Sequence, residues 1–346
     1  MGYAGRVFHA PLIAATPGLR LTALGTSRSA AEAGCPEAEA LSDPLAAARH
    51  PAADLVVIAA PNDSHAPLAE AALRAGKHVV VDKPFTLTLG EARGLAALAS
   101  DVGRMLSVFQ NRRWDSDFLG MRRAIAGGAV GDVVELRSEI SRHRPEVRDR
   151  WRERPGPGSG LWYDLGPHLI DQALLLFGLP ETVSADLRVQ RRGGAAVDWF
   201  HATLGYGPRR VVLTSSMLAA DPAPRFLVRG TEASLVKQRG DPQEEQLVRR
   251  ERPGSPGWGQ DPDPVTVYRG GSGVTRDLAV PPGDYPAYYA ALRDAILAGT
   301  EPPVMAAEAC AVMAVLEAGE RSSAEGTVVK PEFESKNRSA APLPHR

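Results

Sequence analysis

Residues 54–67 read DLVVIAAPNDSHAP. From Leu55 to Ala60 the run is almost continuously apolar, the pattern of a parallel strand buried on both faces, and at Pro61 it breaks into polar residues. A helical pattern follows at once over SHAPLAEAALRAG, residues 64–76. A strand that ends in a polar turn and feeds a helix is the front of a βαβ unit, and the carboxyl edge of such a sheet is where open α/β folds bind ligands. Asn62 and His65 are therefore placed to meet ribose and amide groups of a cofactor. They also suit a plain helix start capped by Asp63 or Ser64, and both readings can hold together.

The same alternation extends outward. A strand is predicted over Leu19–Thr26, a short helix over 27–34 ending on Gly34, and a helix capped by Asp43. Further strands are predicted over KHVVVDKP (77–84) and RMLSVFQN (104–111), with a helix between them over 88–103. This is a Rossmann-type, doubly wound parallel sheet. After Asp117 strand-like stretches follow one another between Gly and Pro turns, which predicts a second, α+β domain with a large, mainly antiparallel sheet. Residues 1–112 form the first domain, 113–335 the second and 336–346 a frayed tail. The charged, Gly- and Pro-rich stretch 244–264 reads as a surface excursion. Helices are expected from Tyr285 to Leu297 and from Ala306 to Glu325.

Composition narrows the function classes. Forty basic residues against 41 acidic ones give a net charge of -1, without the electrostatic footprint of a nucleic-acid or anionic-membrane binder. No apolar run approaches the roughly 20 residues of a spanning helix. Two distant cysteines, Cys35 and Cys310, make neither a disulfide framework nor a zinc site, so no metal is expected and the reading is cytoplasmic. A small-molecule substrate is the implied partner.

The chain opens on Met1, and Gly2, Tyr3, Ala4 and Gly5 fit the last four places of the GxGxxG loop that cradles a dinucleotide's pyrophosphate at a helix N-terminus. The strand that belongs before this loop is central in the order 3-2-1-4-5-6. Its absence would leave several buried backbone groups unpaired at about 1–3 kcal/mol each. The expectation is that the start given lies inside a longer reading frame; the rival is a truncated, inactive chain. At the end of the second strand a carboxylate would hold the ribose of NAD. Here stand Ser27 and Arg28, a hydroxyl and a guanidinium that suit a 2′-phosphate, so NADP(H) is expected over NAD(H).

Two more places carry chemistry. Asp82 and Lys83 close the strand 77–84 at the ligand edge, either as a surface ion pair or as an ammonium that polarises a substrate oxygen. In PGSGLWYDLGPHLIDQAL (157–174), Asp164 and His168 share a helix face and Asp171 continues it. An imidazole there can exchange a hydroxyl proton while a carboxylate orients it; the plain alternative is Asp164 as an N-cap, Pro167 in a first turn and His168 packed in the core.

Together GYAG, PNDSH, DKP and DLGPHLID, in this order and spacing over nearly the whole chain, resemble the Gfo/Idh/MocA oxidoreductase family. The resemblance implies hydride transfer between NADP(H) and a carbonyl or secondary alcohol of a sugar, polyol or related small molecule. It implies Lys83, Asp164 and His168 as catalytic residues, with Asp82 replacing the glutamate of the family's E-K-P motif. Asp82, Asn62 and His65 then lie in cofactor-contacting segments, and Asn111, Arg113, Trp114 and Trp162 are candidate substrate-pocket walls. A homodimer or homotetramer is implied. A cofactor-binding regulator and a dinucleotide-dependent glycosidase are the alternatives within the same architecture.

Overall fold

The computed structural model describes residues 1–270, 273 and 275–334; the expected tail lies outside them. Packing divides the chain into two units. Unit 1 comprises Met1–Trp114, Pro242–Gly259 and Asp284–Cys310, and unit 2 comprises Asp115–Asp241, Gln260–Gly283 and the chain from Ala311 on. Two late segments thus pack with the first unit, where a continuous boundary would put them in the second.

In unit 1 the chain winds at once into a helix, a π-type turn over Gly5–His9 that continues as α1 (Ala10–Ala15). Next come β1 (Ala23–Gly25), β2 (Glu39–Leu41), α2 (Pro44–Ala48), β3 (Leu55–Ile58), α3 (His65–Arg74), β4 (His78–Val81), α4 (Leu89–Asp101) and β5 (Leu106–Val108). The strands β3, β4 and β5 form one parallel sheet, with Leu55 opposite His78 and Val79 opposite Leu106. β1 and β2 form a separate parallel pair. No described strand joins β1 to β3, which is where the 3-2-1-4-5-6 order puts its first member.

Local chemistry sets the helix starts. Asp43 accepts from the Leu45 N–H at 2.9 Å at the head of α2, and Thr88 with Glu91 forms a reciprocal capping box at the head of α4. The helix expected over 27–34 is a run of turns instead. Ser29 gives both its N–H and its hydroxyl to Glu32, and Gly34 takes a positive φ of 81°. Neither Asp63 nor Ser64 caps α3 with its side chain; the Ser64 hydroxyl turns to Asp63.

The stretch 244–264 is not a loose excursion. It opens with a helix, Gln243–Val248, and Trp258 is buried. Two buried amides tie it down: Gln243 donates to the Trp114 carbonyl and accepts from Trp258 Nε1 and the Tyr285 N–H, and Gln246 donates to the Gly257 carbonyl and accepts from the Gly259 N–H.

Unit 2 holds α5 (Ser116–Ala126), β6 (Val133–Glu139), α6 (Gly160–Phe177), β7 (Thr182–Arg188), β8 (Trp199–Tyr206), β9 (Arg209–Ser216), β10 (Phe226–Gly230), β11 (Ala233–Lys237), β12 (Val265–Arg269) and β13 (Thr275–Leu278). The strands make one sheet in the order β13-β12-β11-β10-β6-β9-β8-β7, antiparallel except for β6 beside β9. Alternate residues such as Leu136, Phe200, Leu204, Leu213 and Val228 are buried on one face. There α6 packs, with Trp162 edge-on to Phe200 at 5.0 Å. Among the described residues no helix is long and apolar enough to cross a membrane.

Candidate active site

In unit 1 the parallel strands β3, β4 and β5 bring their carboxyl ends to one edge, so the turns after Ile58, Val81 and Val108 lie side by side. The helix start joins that edge: a Cβ added at Gly5 would lie 2.7 Å from Met1 Cγ and 3.9 Å from Ala59 Cβ. A side chain here would have to displace the Met1 side chain, while Ala59 is already at van der Waals distance. A Cβ on Gly2 would meet nothing within 4 Å, so room remains over the first helical turn formed by Tyr3 and Ala4. An open helix N-terminus at the carboxyl edge fits a pyrophosphate. Ser27 and Arg28 stand exposed just past β1, where the Arg28 N–H bonds Thr26 Oγ1 at 3.1 Å. The nearest following carboxylate, Glu32, is bound to Ser29.

Beneath this edge lies a buried ionic cluster. Asp82 Oδ1 accepts from the Lys83 N–H at 2.8 Å, while Oδ2 faces His9 Nε2 at 3.7 Å, an ion-pair distance rather than a hydrogen bond. Burial pushes the Asp82 carboxyl up, but His9, then Lys83 and His65, outweigh it and hold the group below its usual range. His9 packs on Phe109 at 4.4 Å between ring centroids, and its Nδ1 lies 2.6 Å from the Tyr289 hydroxyl. Burial raises that phenol far above its ordinary range, so its proton stays in place. Sequence reasoning missed His9 and Tyr289. The available signal was helical spacing: His9 stands one turn after Gly5, on the helix that meets the strand ends.

Several expected contacts are placed differently. His65 is 1% exposed, and its two ring nitrogens lie 2.8 Å and 3.1 Å from the carbonyl oxygens of Pro84 and Ala60. The ring sits between the loops after β3 and β4, where its neutral form donates to one of the two carbonyls, and is not offered to a cofactor. Burial lowers its pKa, with Asp82 opposing. Asn62 is buried in the turn before α3, and Lys83 is half-buried at the edge. Arg113, expected as a pocket wall, is buried with its guanidinium on the Pro303 carbonyl and Glu308, because a cation at 8% exposure needs an anionic partner. Asn111 is buried near it; Trp114 is half-buried, edge-on to Tyr288 at 5.6 Å.

In unit 2, α6 carries Asp164, His168 and Asp171 within the helix body, so Asp164 is not an N-cap and the shared face is real. Asp164 is partly exposed, with Arg152 Nε at 3.6 Å, and His168 is buried at 5%. Trp162 is not a pocket wall. At 1% exposure it donates to the Leu316 carbonyl at 3.2 Å and packs on Phe200 and on Gly319, where a Cβ would come within 2.4 Å of its ring. A buried indole belongs where its N–H finds a partner.

Two family models match this chain: "Oxidoreductase family, NAD-binding Rossmann fold" over residues 1–110 and "Oxidoreductase family, C-terminal alpha/beta domain" over 122–330. The chain belongs to the Gfo/Idh/MocA oxidoreductase family. It is 51% identical over 325 residues to the uncharacterized oxidoreductase YdgJ of Escherichia coli (strain K12), covering 93% of this chain and 94% of the relative. It is 36% identical over 329 residues to scyllo-inositol 2-dehydrogenase (NADP(+)) IolW of Bacillus subtilis (strain 168), covering 94% and 92%. A crystal structure of a candidate oxidoreductase from Klebsiella pneumoniae superposes with a TM-score of 0.91 at 47% identity, over 97% of this chain and 94% of that one. The NAD-binding model covers residues 1–110, the stretch that holds the glycine helix and the three strand ends, and supports a nicotinamide cofactor.

Proposed function

We propose that this oxidoreductase is NADP(H)-dependent and moves a hydride to or from a carbonyl or secondary alcohol of a sugar, polyol or related small molecule. One observation carries the cofactor choice: past β1 the chain offers an exposed Ser27 and Arg28, and its next carboxylate is bound to Ser29. A guanidinium pairs with the 2′-phosphate that NADP(H) alone has. The NADP(+)-dependence in the name of the Bacillus subtilis relative supports it. The bound nicotinamide supplies or accepts the hydride. Gly2, Tyr3, Ala4 and Gly5 hold the pyrophosphate, and Asp82, Asn62 and His65 fix the loops that present Lys83. Lys83 binds the reacting oxygen, His168 gives or takes its proton, and Asp164 orients substrate or imidazole. Asn111 and Trp114, in the turn after β5, serve as walls of the substrate pocket. A second or fourth copy of the chain completes the assembly.

Titration with NADPH and NADH tests the cofactor assignment. Arg28→Ala should weaken NADPH by roughly tenfold or more and leave NADH nearly unchanged. Equal weakening of both would remove Arg28 from that role. Turnover with a panel of polyols, sugars and diketones then tests the substrate class.

A further inference from the structure

Past β6 the chain keeps running beside β9: Ile140, Arg142 and Arg144 donate their backbone N–H groups to the carbonyls of Thr214, Ser216 and Met217. Side chains on extended backbone alternate between faces, so Ser138, Arg142 and Arg144 share one. That face belongs to α6, because Arg225 bonds Ser138 Oγ at 2.6 Å and Gln172 Oε1 at 2.7 Å. The direction of α6 is fixed at its start. Leu161 donates to the Val197 carbonyl at 2.6 Å, just ahead of β8, and β8 runs antiparallel to β9 while β9 runs parallel to β6. The helix therefore begins at the end of the sheet where β6 finishes. From Ser138 to Arg142 the strand advances about 13 Å. From Gln172 back to Asp164 the helix covers about 12 Å. Arg142 thus comes level with Asp164 on the same side of the sheet, with His168 one helical turn short of that level and Arg144 two strand residues, about 7 Å, beyond it.

This segment is anchored. Arg191, itself buried, pairs with Asp198 at 3.0 Å and Glu153 at 3.1 Å and donates to the carbonyls of Arg144 and Glu146. Residues 142–154 hold six arginines against three acids. Asp149 pairs with Arg154, and Glu153 pairs with Arg150 and Arg191. Arg152 faces Asp164, and Glu146 is exposed. No described carboxylate is ion-paired to Arg142, Arg144 or Arg148. Burial, and then the like charges of Arg142, Arg148 and Arg150, hold the Arg144 guanidinium below its ordinary range, with Glu153 opposing. Glu153 also accepts from the Arg148 backbone N–H at 2.9 Å but is paired through its side chain with Arg150 and Arg191. Three guanidiniums whose own charges are not matched by an ion-paired carboxylate are a receptor for a planar or tetrahedral oxyanion.

We infer that Arg142, Arg144 and Arg148 form a binding site for an anionic group, carboxylate or phosphate, on the substrate that Asp164 and His168 act on. The inference rests on reading α6 as the substrate side of the proposed oxidoreductase. Matched sugar trios test it: a neutral aldose, its uronic acid and its phosphate ester, each followed by NADPH oxidation with the full chain. The charged members should show a KM roughly tenfold or more below the neutral one. The double variant R142A/R144A should raise the charged members' KM by roughly the same factor, with kcat little changed and the neutral KM unmoved. Arg144→Lys, which keeps the charge, should recover part of the loss and guards against a folding defect. Preference for uronate assigns a carboxylate, and preference for the ester assigns a phosphate. Equal KM values across a trio, or a charged-substrate KM unmoved in R142A/R144A, overturn the site. Should no trio oxidise NADPH, these sugars are not substrates, and the anion site is tested apart from turnover. Calorimetric titration with inorganic phosphate and acetate still decides: binding lost in R142A/R144A supports the site, and no binding to the unmodified chain overturns it.

Discussion

Replacing His168 by Ala should leave NADPH affinity nearly intact and lower kcat by about 10²- to 10⁴-fold, the usual cost of losing a general acid or base. Steady-state rates across pH check this, and an unchanged profile would leave His168 as a packed residue only. The Asp164 and His168 pair was legible because both its members and its geometry sit within five consecutive residues of one helix. His9 was not legible. Its meaning depends on Tyr289, 280 positions away, and on Asp82, brought to it only when β4 joins the sheet. Arg113 and Trp162 were misread for the same reason. Each has a polar group whose partner, Glu308 or the Leu316 carbonyl, lies far along the chain, and a local stretch cannot show that the need is already met.

Elements were legible where a local rule fixes them. Thr88 with Glu91 marks the head of α4, and the apolar run at Leu55 marks β3. The stretch 244–264 defeated composition, because a Gly- and Pro-rich segment packs well once buried amides such as Gln243 and Gln246 tie it down. Gly160 shows how sharply one element can depend on one residue. It opens α6 at a positive φ of 81°, and a Cβ there would come within 2.8 Å of both the Val197 nitrogen and oxygen. These are backbone atoms and cannot swing aside. Gly160→Ala should cost about 2 kcal/mol or more, combining left-handed strain with overpacking. Urea denaturation measures it, and a midpoint within error of the parent would show that α6 can start elsewhere.

At the scale of the molecule, the outer face of the unit 2 sheet bears on assembly. Tyr268 is 46% exposed there, and Leu227, Val212 and the charges of Glu135, Arg137 and Arg229 lie on the same face of the neighbouring strands. Apolar residues among charges of both signs suit a second copy of the same surface. Light scattering at micromolar concentration should give a dimer or tetramer, and a monomer would count against it. The same scale governs the response to pH. Burial lowers the His65 pKa, so between that value and the unfolded value of about 6.5 the unfolded chain binds a proton that the folded chain refuses. His65 therefore contributes stability in full above pH 6.5, and that contribution is lost as pH falls through its folded pKa. Asp82, also lowered, acts in the same sense but only in the carboxylate range, while Glu320, raised by burial, acts in the opposite sense. A difference measurement isolates the imidazole. The stability gap between the parent chain and His65→Asn should shrink as pH drops below about 6.5, by at most about 1.4 kcal/mol per pH unit for one proton. A gap that stays constant from pH 7.5 to 5 would mean that His65 titrates alike in both states, leaving its place between the Ala60 and Pro84 carbonyls indifferent to charge.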